Sequence, residues 1–422
     1  MAAHWQRAAQ EGMRALSQPG HSNREGSEAA IISCMRTVIT SERLWNGRSL
    51  LDCPVVEIED GRIASIAARD GAELPKQAQW LDYPGAMLAP AFLDVHTHGA
   101  AGHDVMEATP EALNAVGHFL ARHGTGSYLP TTVTAPMDTT LRALSGMARL
   151  LGAPPAEGQA RPIGIHLEGP FLSHAKRGVH PPEHLLAPDI ALFDRMFEAA
   201  EGWVRLMTLA PELPGAAELT AHATARGVRV SVGHSNATAA ETRAAMAAGA
   251  VSATHTYNAM RALDHQEPGI LGTVLTADSL YAELICDGIH NKPEMVKLWW
   301  RAKGPERAIL VTDAMSATGM PDGTYQLGGF AVQVANGRAT LGDVLAGSVL
   351  TLDRAVANFV AFTGATVVEG LRLVTANPAA MTGLGERAGS LEVGEPANLV
   401  AVDGAGRLVA SLRDGRVVEA SG

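Results

Sequence analysis

The sequence predicts an α/β fold, a (β/α)8 TIM-like barrel with a small β-sandwich domain built from both chain ends. Three observations predict it. Five strand-like apolar runs each end in a side chain able to bind a metal or move a proton: Phe92–Val95 before His96-Thr97-His98, Ile163–Leu167 before Glu168, Val228–Val232 before Gly233-His234, Val251–Thr254 before His255, and Ile309–Thr312 before Asp313. Between residues 91 and 387 such runs alternate with Ala-rich helical stretches, the signature of βα units. At 35–90 and 388–422 short alternating β runs and turn pairs take their place.

In chain order, residues 1–34 are polar, with a Ser/Pro/Gly-rich stretch from Ser17 to Ser27. They read as a disordered extension or the product of an upstream start codon. Strand patterning starts after Met35 with Thr37–Thr40, then Val55–Glu59, the turn pair Asp60-Gly61 and Ile63–Ile66. An Asp-Gly between two alternating runs marks a hairpin. Pro110–His123, Ala216–Arg226 and Ala239–Ala248 read as barrel helices, and Asn398–Val402, Leu408–Ser411 and the turn at Asp414-Gly415 return the chain to the first sheet.

Composition narrows the class. The 422 residues are 46% hydrophobic, 18% charged and 5% aromatic, which fits a soluble, helix-rich α/β enzyme of one large barrel and a smaller module. A net charge of −11 argues against nucleic acid or an anionic membrane as partner. No run approaches the ~20 apolar residues of a membrane span. Cys34, Cys53 and Cys286 are too few and too scattered for a disulfide framework or a thiolate zinc site, so they read as reduced thiols of a cytoplasmic protein without a secretory signal.

In a parallel barrel all strands point one way, so residues just past their ends converge on one rim, where this fold does its chemistry. Residues two apart on a strand face the same side, which lets His96 and His98 reach one metal. In a chain of 16 histidines that pair alone is a weak signal. A strand-end glutamate is ordinarily a solvated rim charge, and Asp313 alone would read as a helix N-cap. Histidines at equivalent points of consecutive βα units, His234 and His255, make coincidence a poor explanation. Together the imidazoles and Glu168 can hold one or two divalent metals, leaving Asp313 to carry protons. His166, inside an apolar strand, reads as a packed or supporting histidine.

The ordered set of His96-Thr97-His98, His166-Leu167-Glu168-Gly169-Pro170-Phe171, Gly233–Thr238, Thr254–Met260, Asp287–His290, Val311–Met315 and Thr375–Ala379 resembles the amidohydrolase superfamily and, within it, the N-acetylglucosamine-6-phosphate deacetylase family. The resemblance runs from about Met35 to the C-terminus. It implies a hydrolase that removes the N-acetyl group of N-acetyl-D-glucosamine 6-phosphate, a small-molecule amino-sugar substrate, and a homodimer. It implies Glu168, His234 and His255 as the firmest metal ligands, His96 and His98 as a pair that allows a second metal bridged by Glu168, and Asp313 as general base and acid. Zinc stands first for the metal, ahead of iron, cobalt or manganese. The resemblance also implies substrate contacts at Val179 and His180, at Asn258 and Ala259 near the phosphate, at Asp287 and His290, and at the loop Leu345-Ala346-Gly347.

At Gln266 the family usually carries an arginine that reaches the phosphate from a neighbouring subunit. Glutamine offers no charge-assisted fork. Either Arg261 or His265 takes over, or the substrate is an unphosphorylated or epimeric N-acetylhexosamine. A metal-free scaffold of the same fold is the remaining alternative, against which the full set of candidate ligands weighs.

Overall fold

The computed structural model describes residues 36–71, 75, 77–153 and 156–418. The extension read at 1–34, with Cys34, lies outside them. Eight barrel strands follow in chain order, first to eighth: Phe92–Thr97, Thr125–Thr132, Ile165–Glu168, Val204–Leu209, Arg229–Val232, Ala250–Ala253, Tyr281–Ile285 and Ala308–Val311. Each pairs in parallel with the next. The eighth meets the first through single bonds: the Asp313 N–H donates to the His96 carbonyl at 2.9 Å, and Thr312 Oγ1 donates to Asp94 Oδ2 at 2.6 Å. At the other end of this seam the Leu373 and Val374 carbonyls accept from Leu310 and Leu93, so the two strands are spliced through that turn.

The helices begin where local chemistry starts them. Pro110–Arg122 opens on Thr109, whose hydroxyl accepts the Ala112 N–H, with proline in the first turn. Ala239–Ala248 opens on a reciprocal Thr238/Glu241 capping box and stops at Gly249, whose φ of 115° suits glycine. These two and Ala216–Ala225 match the sequence reading to within a residue.

Strands covered by helices on one side and filled inside should be almost wholly apolar. This barrel departs from that in its interior. Asp94, His166, Thr208, Ser231, Ser252, Thr254 and Glu283 are all fully buried. Several form one chain: His166 Nε2 to Thr208 Oγ1 at 2.8 Å, Thr208 to Thr254 at 2.7 Å, and Thr254 to Ser231 at 2.7 Å. Buried polar groups persist when partnered, and this chain forms a polar floor under the strand ends.

The two chain ends form one sheet. Gln79–Pro90 pairs in parallel with Arg36–Trp45 and antiparallel with Leu399–Val402, which joins the N-terminal strands to the C-terminal ones. The far edge, Arg62–Ala68, comes back to the segment before Leu399: Ile63 donates to the Glu395 carbonyl and accepts from Gly394. The expected sandwich is thus a curled sheet closed over its own core of Ile39, Leu44, Val56, Ile58, Leu88 and Leu399. Both turn pairs read from the sequence are present, with Asp60 and Gly61 at φ of 49° and 78° and Asp414 and Gly415 at 46° and 75°, the left-handed pair that two-residue hairpins require.

One element has no counterpart in the βα reading of 91–387. Gly323–Leu327, Phe330–Ala335, Arg338–Leu341 and Val344–Leu345 make an antiparallel meander after the eighth strand. Val332, Val334 and Ala339 pack it on Val133, Met315 and Ala317. Among the described residues, no helix is long and apolar enough to cross a membrane.

Candidate metal centre

All five strand ends deliver their polar residue to one point. His96 ends the first strand inward and His98 follows it, their Nε2 atoms 3.2 Å apart. Glu168 ends the third strand and lies at the centre. Its Oε1 is 3.4 Å from His96, 3.3 Å from His234 and 3.1 Å from His255, and its Oε2 is 3.3 Å from His98. The Nε2 atoms of His234 and His255 approach to 3.1 Å. Asp313 Oδ1 stands 3.1 Å from His98 and 3.5 Å from His96. All six side chains are buried.

Getting three of them there requires unusual backbone. His234, His255 and Asp313 have φ of 45°, 28° and 50°, in the left-handed region that non-glycine residues seldom adopt. Each sits two residues past a strand end, where the reversed backbone turns the side chain over the barrel mouth. Gly233 makes the first of these turns possible, since a Cβ there would lie 2.8 Å from the Cβ of Thr254.

Hydrogen bonds assign the tautomers. His98 Nδ1 faces the Thr131 carbonyl at 3.0 Å and His234 Nδ1 faces the Lys176 carbonyl at 3.0 Å. A carbonyl only accepts, so both rings carry a proton on Nδ1, and Nε2 is the atom each can present to a cation, the arrangement of metal-ligating histidines. His180 is the reverse. The Thr134 N–H donates into its Nδ1 at 3.3 Å, so Nε2 carries the proton and points a donor at Glu168 Oε2, 3.5 Å away. Two donor groups have metal-holding geometry, His96–His98–Glu168 and Glu168–His180–His234. The tautomer of His180 makes it a hydrogen-bond donor, which leaves His234 and His255 with Glu168 as the better second set.

The charges are tightly coupled. Burial works against ionisation of Asp313, but the positive charge of His96 and the hydrogen bond from His98 hold its carboxyl down at about 2. Burial likewise opposes Glu168, which His96 and the bonds from His180, His234 and His255 keep well below the usual carboxylate range. Against their own burial, His96 and His98 are pushed up by these carboxylates, His98 to about 9. A divalent cation entering this cluster replaces imidazole protons, so its binding is linked to pH. His166 lies under His96, ring centroids 4.7 Å apart, and burial drives it well below its normal value, as a neutral supporting histidine.

Above the cluster a cavity of about 610 Å³ is lined by His98, Glu168, His234, His255 and Asp313 at its floor and by Val179, His180, Asn258, Ala259, His290, Leu345 and Gly347 around it. Asp287 stands behind His290, with Oδ2 2.6 Å from its Nδ1 and Oδ1 accepting the Ile289 and His290 N–H groups. Ala346 is buried in the packing beneath the meander rather than in the lining. Gln266 is exposed on a turn capped by Asp264 and lies outside the cavity of its own chain, as do Arg261 and His265.

Sequence reasoning missed Lys176, Arg177, Arg338 and Asp343, which line the same cavity. Asn336-Gly337, with φ of 52° and 75° between two alternating runs, was the available signal for the hairpin that carries Arg338. It also missed Glu283, whose signal was a lone carboxylate inside the apolar strand Tyr281–Ile285.

Comparison with known proteins agrees with this geometry. Residues 87–419 match the amidohydrolase family model. An N-acetylgalactosamine-6-phosphate deacetylase of Escherichia coli O157:H7 is 40% identical over 87% of this chain and 96% of its own length. An N-acetylglucosamine-6-phosphate deacetylase of Bacillus subtilis is 34% identical over 93% of this chain and 97% of its own. The structure of the Mycobacterium smegmatis N-acetyl-D-glucosamine-6-phosphate deacetylase with N-acetyl-D-glucosamine 6-phosphate superposes with a TM-score of 0.84 at 35% identity, over 91% of this chain and 99% of the other. With a matching domain, a matching fold and a buried histidine–carboxylate centre at the barrel mouth, this chain belongs to the amidohydrolase family.

Proposed function

We propose that this protein hydrolyses the N-acetyl group of N-acetyl-D-glucosamine 6-phosphate, giving D-glucosamine 6-phosphate and acetate. One observation carries the reading: Asp313 Oδ1 lies 3.1 Å from His98 at the floor of a sugar-sized cavity, beside donors arranged for a divalent cation. Its likeness to curated deacetylases of two amino-sugar phosphates supports the substrate class.

His96, His98, Glu168, His234 and His255 would hold the metal, one or two ions per subunit, zinc first. Bound there, it would supply the Lewis acidity that polarises an amide carbonyl and makes water acidic. The remaining steps belong to the chain. Asp313, ionised at neutral pH, takes a proton from the attacking water and delivers it to the amide nitrogen, which cannot leave as an anion. His180, whose Nε2–H faces Glu168 Oε2 across 3.5 Å, turns that donor to the acetyl oxygen when substrate enters. His290, held by Asp287, and the Asn258-Ala259 turn orient the sugar. The phosphate falls to Lys176 and Arg338, cations of the cavity lining, since Gln266 has no charge to offer.

The same reading makes the protein a cytoplasmic homodimer, in keeping with free thiols at Cys53 and Cys286. A second reading, the galacto epimer as substrate, is favoured by the E. coli relative at 40% identity. Comparing kcat/KM for both 6-phosphates and both free sugars tests the proposal. Strong preference for an unphosphorylated sugar overturns it.

A further inference from the structure

Glu283 takes no part in the steps above. It sits mid-strand in Tyr281–Ile285, fully buried, inside the barrel. Ser252 Oγ touches its Oε1 at 3.4 Å, while Oε2 has no hydrogen-bond partner. Across a gap of 3.7 Å stands His96 Nδ1, equally buried and also without a partner. A buried ionisable group stripped of water needs a partner, and its one ion-pair neighbour among the described residues is this imidazole.

His96 differs here from its neighbours. His98 and His234 have Nδ1 fixed by neutral main-chain carbonyls, whereas His96 alone faces a carboxylate. His166 stacks edge-on against the His96 ring, with centroids 4.7 Å apart, and limits its rotation. A shift of well under an ångström turns the gap into a hydrogen bond, the kind of tightening that accompanies ligand binding.

We infer that Glu283 is the positioning residue of the His96–His98 half of the metal centre. It accepts a hydrogen bond from the Nδ1–H of His96 and fixes the tautomer that turns the Nε2 lone pair toward Glu168. Outer-shell carboxylates of this kind strengthen the imidazole as a donor. Of the four imidazoles, His96 is then the one backed by a carboxylate, while His98 and His234 rest on main-chain carbonyls.

The inference rests on the metal reading given under Proposed function, and the experiment separates the two. Metal-stripped wild type, E283Q and E283D are titrated with Zn2+ against a chromophoric chelator, and bound metal is counted by mass spectrometry. Circular dichroism reports folding, and 15N NMR of the histidine rings reports the His96 tautomer. The expected result is one Zn2+ equivalent bound about 10–100-fold more weakly in E283Q, with part of the affinity recovered in E283D and the His96 Nδ1–H signal altered in E283Q. Unchanged affinity for every equivalent in a folded E283Q overturns the inference. Absence of Zn2+ binding by the wild type overturns the metal reading itself.

Discussion

Thr312 donates its hydroxyl to Asp94 across 2.6 Å, and this bond ties the eighth barrel strand to the first, one residue before Asp313 and two before His96. Asp313 and the His96–His98 pair are therefore held in register by a side chain that lies outside the cavity lining. Thr312→Val keeps the shape and removes the donor from a buried carboxylate. It is expected to lower stability by about 1–3 kcal/mol and to reduce kcat as Asp313 loosens, both read from urea denaturation and steady-state kinetics.

Asp313→Asn keeps size and hydrogen-bonding capacity but cannot accept the proton. Metal content should stay at the wild-type level while kcat falls by about 10²–10⁴-fold. Near-normal turnover in a fully metal-loaded variant would remove Asp313 from the role assigned to it.

Dialysis against a chelator should abolish activity and lower Tm, because a ligand that binds only the folded state stabilises it in proportion to RT ln(1 + [L]/Kd). Returning a single divalent metal to the protein should restore both. Recovery of Tm without activity would mean that the restored ion is the wrong one for turnover.

Arg338→Ala should raise KM for the 6-phosphate substrate by an order of magnitude or more, as expected for loss of a charge-assisted contact, and leave the free sugar unaffected. An equal effect on both substrates would place Arg338 in the packing of the meander instead.

Lys303 gives a pH signature far from the site. Its ammonium is buried, donates to the carbonyls of Val274 and Ala277, and is pulled by burial from 10.5 to about 8. Between those values the unfolded chain holds the proton and the folded chain has released it, so this residue makes stability rise with pH there. Subtracting the stability profile of Lys303→Met from that of the wild type should leave an upward slope between about pH 8 and 10.5. A flat difference would show that the lysine stays charged when folded.

Much of this was legible in the chain because a barrel writes its active rim as apolar runs that stop at a polar residue. His96, Glu168, His234, His255 and Asp313 all announce themselves that way. Glu283, Asp94 and Thr312 do not, because what matters about them is which residue they face across the barrel, and sequence carries spacing along strands but not across them. The meander was overlooked for a different reason: the βα rhythm on either side hid the Asn336-Gly337 turn. The tautomer of His180 depends on the Thr134 N–H, a main-chain donor 46 positions away that no side-chain pattern encodes.

The left-handed backbone at His234, His255 and Asp313 bears on how such a protein ages in a lineage or a laboratory. Each position stores roughly 1–3 kcal/mol that glycine would release. Selection for thermal endurance alone would therefore favour dismantling the centre, one substitution at a time, and would return a sturdier barrel with nothing left to catalyse. Endurance screens on this protein have to be run with turnover as a second gate.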